Sequence, residues 1–481
     1  MRDSWATSGG GDLHLDLGGP GGLRASLMRA LREAIRTGRL APGTRLPSSR
    51  SLAADLGVAR NTVADAYAEL VAEGWLVARQ GSGTRVAPRA EPVAHPSSSA
   101  ARRPVVERRA ARPPDTAPRP RHDLRSGRPD VSAFPRSAWL TSVRRVLAAA
   151  PAAAFGYGDP RGRPELRRAL AGYLARARGV RADPERIVVC AGFVRALALL
   201  GEVLGGTVAV ESYGLWIHRE LLERAGARTV PLPVDDRGAD VTALPDTGAH
   251  TVLLTPAHQY PTGASLHPDR RAAAVDWARS VGGVVLEDDY DGEFRYDRQP
   301  VGALQDLDPD RVVYLGTAAK SLAPGLRLGW AVVPGPLLEA VLETRRETAE
   351  TCGVLDQLAL ADFVECGAYD RHVRAVRLRY RRRRDRLAAA LAERAPEVRV
   401  TGIAAGLHAV LELPPGTEEP VLRAAERAGV AVQGLARFRH PEAPDGGPDG
   451  LVVGYGTPPE HGFAAALDAL CAVLRDGLGR A

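Results

Sequence analysis

Thr317-Ala318-Ala319-Lys320-Ser321-Leu322-Ala323-Pro324-Gly325-Leu326-Arg327-Leu328-Gly329-Trp330 decides how this chain is read. Lys320 is the only lysine among 64 basic residues; the rest are arginine. Arginine stays protonated in proteins, whereas a desolvated lysine loses its proton and attacks a carbonyl. One retained lysine therefore points to amine chemistry, with a Schiff base to an aldehyde cofactor as the leading candidate. A chance survivor on a solvated surface is the plainer alternative. The flanks argue against it: the apolar run Val312-Val313-Tyr314-Leu315 precedes the lysine, and a second run, Leu328 to Val333, follows Arg327. The segment is expected to hold a lysine between two buried strands.

Outward from this stretch, short apolar runs alternate with helical ones. Ile187–Val189, Thr207–Val210, Thr251–Leu254, Gly283–Leu286, Val312–Leu315 and Leu328–Val333 read as strands, and Asp269–Val281 as one of the helices between them. This alternation predicts an α/β domain with a largely buried sheet. After about Pro334 the pattern turns helical, with a very basic stretch from Arg371 to Arg386. Apolar segments near Leu407–Leu413 and Leu451–Val453 then predict a small α+β end. Glu287-Asp288-Asp289-Tyr290-Asp291 follows one predicted strand. On a continuing strand Asp288 and Tyr290 share a face, where they suit the pyridine nitrogen and phenolic oxygen of pyridoxal phosphate. A divalent cation is the competing reading for these acids, disfavoured because no histidine accompanies them at ligand spacing. Cys190-Ala191-Gly192-Phe193 joins a strand to a helix, where backbone N–H groups suit a phosphate; Arg327 and Thr317 offer a charge and a hydroxyl.

The first quarter is different. Residues 1–122 hold 19 arginines against 11 carboxylates, while the remainder holds 45 basic against 46 acidic residues, so the whole net charge of +7 belongs to the N-terminal quarter. That asymmetry fits a module that meets a polyanion. Leu23, Leu27, Leu31 and Ile35 recur at helical spacing. Pro47-Ser48-Ser49 opens a second helix that Gly57 stops, and Val58 to Val63 opens a third. Trp75–Ala78 and Thr84–Val86 read as a hairpin around Gly81-Ser82-Gly83. The order predicts a winged helix-turn-helix whose third helix enters the major groove of double-stranded DNA, with Arg60 and Asn61 at base edges and Arg50 and Thr62 at phosphates. Gln80-Gly81 stands at the wing tip. A helical protein-interaction module is the plainer alternative. The expected division is a tail over 1–22, the winged helix over 23–86, a Pro/Ala/Arg-rich linker over 87–122, and the large domain over 123–481. Cys190, Cys352, Cys366 and Cys471 form no CxxC pair, and no run reaches membrane-spanning length, so a cytoplasmic location without a structural zinc or other metal is expected.

Gly38-Arg39-Leu40-Ala41-Pro42-Gly43 through Arg50, followed by Leu56-Gly57-Val58-Ala59-Arg60-Asn61-Thr62-Val63, resembles the GntR-family winged helix. Tyr157-Gly158-Asp159-Pro160-Arg161-Gly162, Thr255 to Gly263, Glu287 to Tyr296 and Gly316 to Gly329 resemble the fold-type I aminotransferase-like domain of the MocR subfamily of GntR regulators; Gln357 to Phe363 and Gly406-Leu407-His408 also look like family positions. The resemblance implies a regulator whose large domain senses pyridoxal phosphate, a small amino compound, or both, with an active aminotransferase as the alternative. It implies Lys320 as the cofactor's covalent anchor, Asp288 at the ring nitrogen, Tyr290 at the ring oxygen, and Arg327 and Thr317 at the phosphate. Gly192, Phe193 and Tyr260 are expected at the cofactor, and Arg437, or else Arg439, at an effector carboxylate. Positions matching Arg50, Arg60, Asn61, Thr62, Gln80 and Gly81 face DNA. Tyr157 matches a tyrosine that reaches the phosphate from the partner subunit, which implies a homodimer, with a head-to-tail arrangement expected. Two positions depart from the pattern: Ala319 precedes the lysine in place of serine, and Leu215 stands where an aromatic would stack on the ring, leaving Tyr213 or Trp216 as substitutes.

Overall fold

The computed structural model describes residues 4–6, 13–15, 17, 22–79, 83–88, 120–296, 302–348, 351–444 and 446–479. The chain divides into two compact units, Met1–Thr116 and Ala117–Ala481.

In the first unit, helices Leu23–Arg36, Ser49–Leu56 and Arg60–Ala72 precede an antiparallel hairpin of Leu76–Arg79 and Gly83–Val86. Ser48 accepts a hydrogen bond from the backbone N–H of Ser51 at 3.1 Å, and Gly57 closes the second helix in the left-handed conformation. Leu27, Leu31, Ile35, Leu52, Val63, Tyr67 and Leu70 bury one face of each helix in a common core. The N-terminal stretch is more than a tail. Ser4–Ala6 pairs antiparallel with Leu13–Leu15, and Leu15 is fully buried in the same core.

The second unit is built on a seven-stranded sheet. In spatial order its strands are Ile187–Cys190, Gly329–Val332, Val312–Thr317, Val284–Asp288, Thr251–Leu254, Thr207–Glu211 and Arg228–Leu232. All run parallel except Gly329–Val332, which is antiparallel to both neighbours. The central strands are buried along their whole length, as a sheet covered on both faces requires. Arg228–Leu232 escaped the sequence reading; it is an edge strand interrupted by Pro231, which the edge tolerates because it needs fewer N–H donors. The strand expected to carry both Asp288 and Tyr290 ends at Asp288, so Tyr290 lies in the bend beyond it.

The long helix Ala368–Arg394 leads to a four-stranded antiparallel sheet of Arg399–Thr401, Ala409–Glu412, Gly450–Val453 and Gln433–Gly434, backed by helices Glu418–Arg427 and Phe463–Leu478. The segment His122–Asp123 adds in parallel to Val430–Ala431, so the last residue of the expected linker already belongs to the second unit. At the other end Ala87 is buried and its N–H bonds the carbonyl of Trp75. The rest of the expected linker, with its arginines 102, 103, 108 and 109, lies almost wholly outside the described residues.

Candidate functional site

The second unit gathers its chemistry where the parallel strands end, the place at which open α/β sheets bind ligands. Asp288 terminates the central strand, Thr317 its neighbour, and Ala191-Gly192 follows Cys190 into the helix Phe193–Leu204. Lys320 sits just past Thr317. Its ammonium donates to the carbonyl of Gly127 at 2.6 Å, a contact across 193 residues. Gly127 has φ +77°, a conformation glycine adopts without strain, so a glycine lets this strap close on the amine; a Cβ there would be in ordinary contact, 3.7 Å from the Tyr260 hydroxyl and 3.9 Å from Lys320 Nζ. Burial pushes the Lys320 ammonium pKa down, against the upward pull of Asp288 and Asp291.

Asp288 is 3 % exposed, and its Oδ1 has no hydrogen-bond partner among the described residues. Its other oxygen lies 3.9 Å from His218 Nδ1. Burial first, and Asp289 second, raise its pKa well above the usual carboxylate range, with Lys320 opposing. A buried carboxylate oxygen left without a donor is costly, and a protonated pyridine nitrogen is the donor that would satisfy it. His218 was missed by the sequence reading. Burial holds it neutral, with a pKa lowered to about 3, and its ring packs 4.8 Å from that of Phe193, so both flank the Asp288 side of the site.

The phosphate side also fits. Gly192 precedes a twelve-residue helix that no side chain caps. A Cβ on Gly192 would lie 3.5 Å from the Arg327 guanidinium carbon, so that cation lies against the helix start. Arg327 is the one non-glycine residue with positive φ, +53°, among the described residues, a strained backbone of the kind found at ligand clamps. Thr317 is used locally: its hydroxyl donates to the carbonyl of Leu328 at 3.2 Å and accepts from the N–H of Ala319 at 3.1 Å, shaping the turn that presents Lys320.

Tyr290 is buried, with its hydroxyl 3.0 Å from His258 Nδ1, and that nitrogen is 2.8 Å from Asp291 Oδ2. Tyr260 packs edge-on to Tyr290 at 5.6 Å and bonds Ser126 through its hydroxyl at 2.6 Å. Leu215, Trp216 and Tyr213 pack against the cluster that contains Tyr260, Tyr290 and Phe438. Asp289 turns the other way, into a buried pair with Arg178 at 2.7 Å and a hydrogen bond from Tyr314. Ligand atoms of His258, Asp291 and His408 all lie within 4.8 Å of one another, a geometry open to a metal ion that sequence spacing did not reveal. Two contacts already engage these groups: His258 bonds Asp291, and His408 Nε2 bonds the carbonyl of Pro261 at 3.0 Å.

Of the two arginines expected at an effector carboxylate, Arg437 is exposed and stacks 4.2 Å over the Trp216 ring. Arg439 bonds the carbonyls of Ala443, at 2.9 Å, and of Pro444. Tyr157 is wholly exposed, at 112 % of its reference area.

In the first unit, Arg60 and Asn61 are exposed on the opening turn of the third helix, which no side chain caps and no acid occupies. Arg50 is exposed at the start of the second helix, and Thr62 is half-buried. Arg45 and Arg85, which the sequence reading passed over, are also exposed, linked by an antiparallel bridge at the base of the hairpin. Gln80 and Gly81 lie outside the described residues.

The family model described as bacterial regulatory proteins, gntR family, matches residues 23–86, and that for aminotransferase class I and II matches residues 123–444. The HTH-type pyridoxine biosynthesis transcriptional regulator PdxR of Corynebacterium glutamicum is 33 % identical, over 91 % of this chain and 93 % of its own. The probable rhizopine catabolism regulatory protein MocR of Rhizobium meliloti is 35 % identical, over 90 % of each. Among solved structures, kynurenine aminotransferase of Pyrococcus horikoshii superposes with a TM-score of 0.67 at 26 % identity, over 74 % of this chain and 91 % of that one. An archaeal alanine:glyoxylate aminotransferase gives the same TM-score at 25 % identity, over 74 % and 90 %. With both modules matched and regulators alike along nine-tenths of its length, the chain belongs to the gntR family of bacterial regulatory proteins, in the form that carries an aminotransferase class I and II domain.

Proposed function

We propose that this protein is a transcriptional regulator that binds operator DNA through its winged helix and responds, through its large unit, to pyridoxal phosphate, to an amino compound, or to both. The observation that carries the reading is the orphaned Asp288 oxygen, in a chain whose single lysine has been drawn into the same buried site. Lys320 would anchor the cofactor, Asp288 would hold its ring nitrogen, and Tyr290 its ring oxygen. Arg327 and the backbone of Gly192 and Phe193 would hold its phosphate. When bound, the cofactor supplies an aldehyde that condenses with amines and an electron-withdrawing ring. The chain's part is to weaken the lysine's hold on its proton by burial, to exclude water with the Gly127 strap, and to fix the ring between the Phe193–His218 side and the Tyr260 side.

The large unit acts as a head-to-tail homodimer in this reading. Among the described residues nothing covers Tyr157, as befits a side chain that completes a neighbour's phosphate site. The protein works in the cytoplasm; no helix among the described residues is long and apolar enough to cross a membrane. Arg60 and Asn61 read bases, Arg50 and Thr62 settle the backbone register, and Gln80-Gly81 at the wing tip approaches the minor groove. A ligand shifts operator binding only through its different affinity for the two arrangements of the reading heads.

The test is operator binding by the full chain with and without pyridoxal phosphate, then with common amino acids added, alongside a transamination assay. The regulator reading expects cofactor-dependent affinity or bending that Lys320→Ala blunts. Identical DNA binding in every state, together with rapid multiple-turnover transamination, would establish an enzyme instead.

A further inference from the structure

The long helix Ala368–Arg394 carries a basic stretch that the lysine site leaves unused. Between Arg371 and Arg386 stand nine arginines and one acid, Asp385. Residues 123–481 hold 45 basic and 46 acidic residues in all, so outside this stretch the balance is 36 against 45. The large unit thus joins one strongly basic ridge to an otherwise acidic chain. Burial divides the stretch by helical period. Val373, Val376, Tyr380, Arg383 and Leu387 are buried on one side. Arg371, Arg374, Leu378, Arg381, Arg382 and Arg386 are exposed on the other, with Asp385 the one acid among them. Their spacing of three and four residues puts them on a single face, about 22 Å long at 1.5 Å per residue.

Other solvated helix faces of this protein are built differently. Glu33 with Arg36, Glu220 with Arg224, Asp276 with Arg279 and Glu419 with Arg423 set opposite charges three or four residues apart. Here like charges hold those spacings: Arg371 with Arg374, Arg374 with Arg377, Arg377 with Arg381, and Arg382 with Arg386. Each such pair weakens the helix. The nearby acids are committed elsewhere. Asp130 and Glu460 engage Arg379 and Arg383, and Asp370 pairs with Arg176 at 3.0 Å. Arg371 and Arg374 reach the backbone carbonyls of Cys366 and Asp370, and Arg386 lies 5.2 Å over the Phe463 ring. Among the described residues no carboxylate pairs with Arg371, Arg374, Arg381, Arg382 or Arg386. The charge that would relieve this repulsion has to come from outside the chain.

We propose that this arginine face is a second DNA-binding surface, which takes the phosphate backbone beside the bases read by the winged helix. This rests on the reading that the winged helix binds operator DNA. A row of cations repeated along 22 Å matches a polymer that carries one charge per 3.4 Å of axis on each strand, about six phosphates for the length of the face. Guanidinium groups suit phosphate oxygens. The contact is to backbone and reads no sequence. A duplex already held by one module of a chain is at high local concentration for a second, so a face too weak to capture DNA by itself still adds to the hold. A membrane surface is the poorer match, because Leu378 is the one apolar anchor the face offers.

The experiment measures salt-dependent binding of the full chain to two duplexes. One is trimmed to the site that the chain selects from a random-sequence pool; the other carries that site with mixed-sequence DNA on both sides. The triple variant Arg374→Gln/Arg381→Gln/Arg382→Gln is expected to bind the longer duplex about tenfold more weakly, and to lose about 0.9 from the slope of log affinity against log salt for each phosphate contact removed. It should bind the trimmed duplex as the unaltered chain does. Lysine at the same three positions should keep the slope, because a backbone contact needs the charge. Arg399→Gln/Arg423→Gln/Arg427→Gln removes as much charge from exposed arginines that pair with Glu412, Glu419 and Asp476, and should change neither duplex. Since the first triple variant relieves repulsion within its helix, it should melt no earlier than the unaltered chain. An unchanged affinity and slope on the longer duplex overturns the proposal and leaves the face to an acidic protein. So does an equal loss in the second triple variant, which would mark a net-charge effect, or an equal loss on both duplexes. Failure of the unaltered chain to retain any duplex overturns the winged-helix reading with it.

Discussion

The winged helix and the lysine site hold their charges in opposite ways. Arg50, Arg60 and Asn61 stand exposed at the starts of two short helices, beside a core of Leu, Ile, Val, Ala, Met and Tyr side chains. Around Lys320 the charges are buried, and their partners come from far along the chain: Gly127 for Lys320, Arg178 for Asp289, His258 for Asp291. An exposed cation acts through a screened field, so salt governs it. A buried carboxylate or ammonium acts through the cost of leaving water, so protons and partners govern it. One chain therefore carries two reading devices that answer to different solution variables.

The largest effect expected is at Lys320. Lys320→Arg keeps the charge but no longer offers an amine that condenses with an aldehyde, so visible cofactor absorbance and borohydride incorporation should vanish entirely. Incorporation at any other residue would break the contrast at its root. Next in size, Arg178→Met strands Asp289 beside Tyr314 without its cation and should destabilise the large unit by about 3–5 kcal/mol in denaturant melts. An unchanged midpoint would mean that burial here is weaker than the geometry indicates.

Glu211 sharpens the pH side. It is buried beneath Thr255 and Gln259, and burial lifts its pKa from 4.5 to about 7. Between those values the folded chain binds more protons than the unfolded one, so this residue's contribution to stability falls as pH rises from about 4.5 to about 7, by a few kcal/mol in order of magnitude. Glu211→Gln should flatten that part of the stability–pH curve, and an unaltered slope would refute the assignment. On the salt side, Arg60→Ala should cost about 1–3 kcal/mol of operator affinity and relax sequence preference. Binding that ignores salt would remove the distinction drawn here. The smallest effect is at Ser48: Ser48→Ala loses one helix cap and about 1 kcal/mol of stability in the first unit.

The two regions also differed in how far their sequence could be read. The winged helix is built from contacts between neighbours in sequence, so periodicity, Gly57 and the Ser48 cap were enough to locate its helices. In the large unit the buried strands announced themselves as apolar runs, and the lone lysine announced the site. The edge strand Arg228–Leu232 did not, because Pro231 looks like a breaker until the sheet edge accommodates it. The N-terminal strand pair stayed hidden because its partners are only three residues each. His218 and the His258–Asp291–His408 group were illegible for a different reason. Each is an isolated residue in its own segment, and only the packing of the terminal sheet against the large one brings His408 to the other two. Arg437, expected at an effector carboxylate, is exposed with its guanidinium over the face of Trp216, a contact that sequence spacing did not announce.

The carbonyl of Gly127 on the lysine amine has a practical consequence. Apart from the chain terminus, Lys320 is the protein's sole primary amine, so acylating reagents have a single internal address. Its rate of modification measures how often a strap rooted 193 residues upstream lets go of it. Mass spectrometry of the intact chain would then act as a clock for the opening of this site, with no spectroscopic label added.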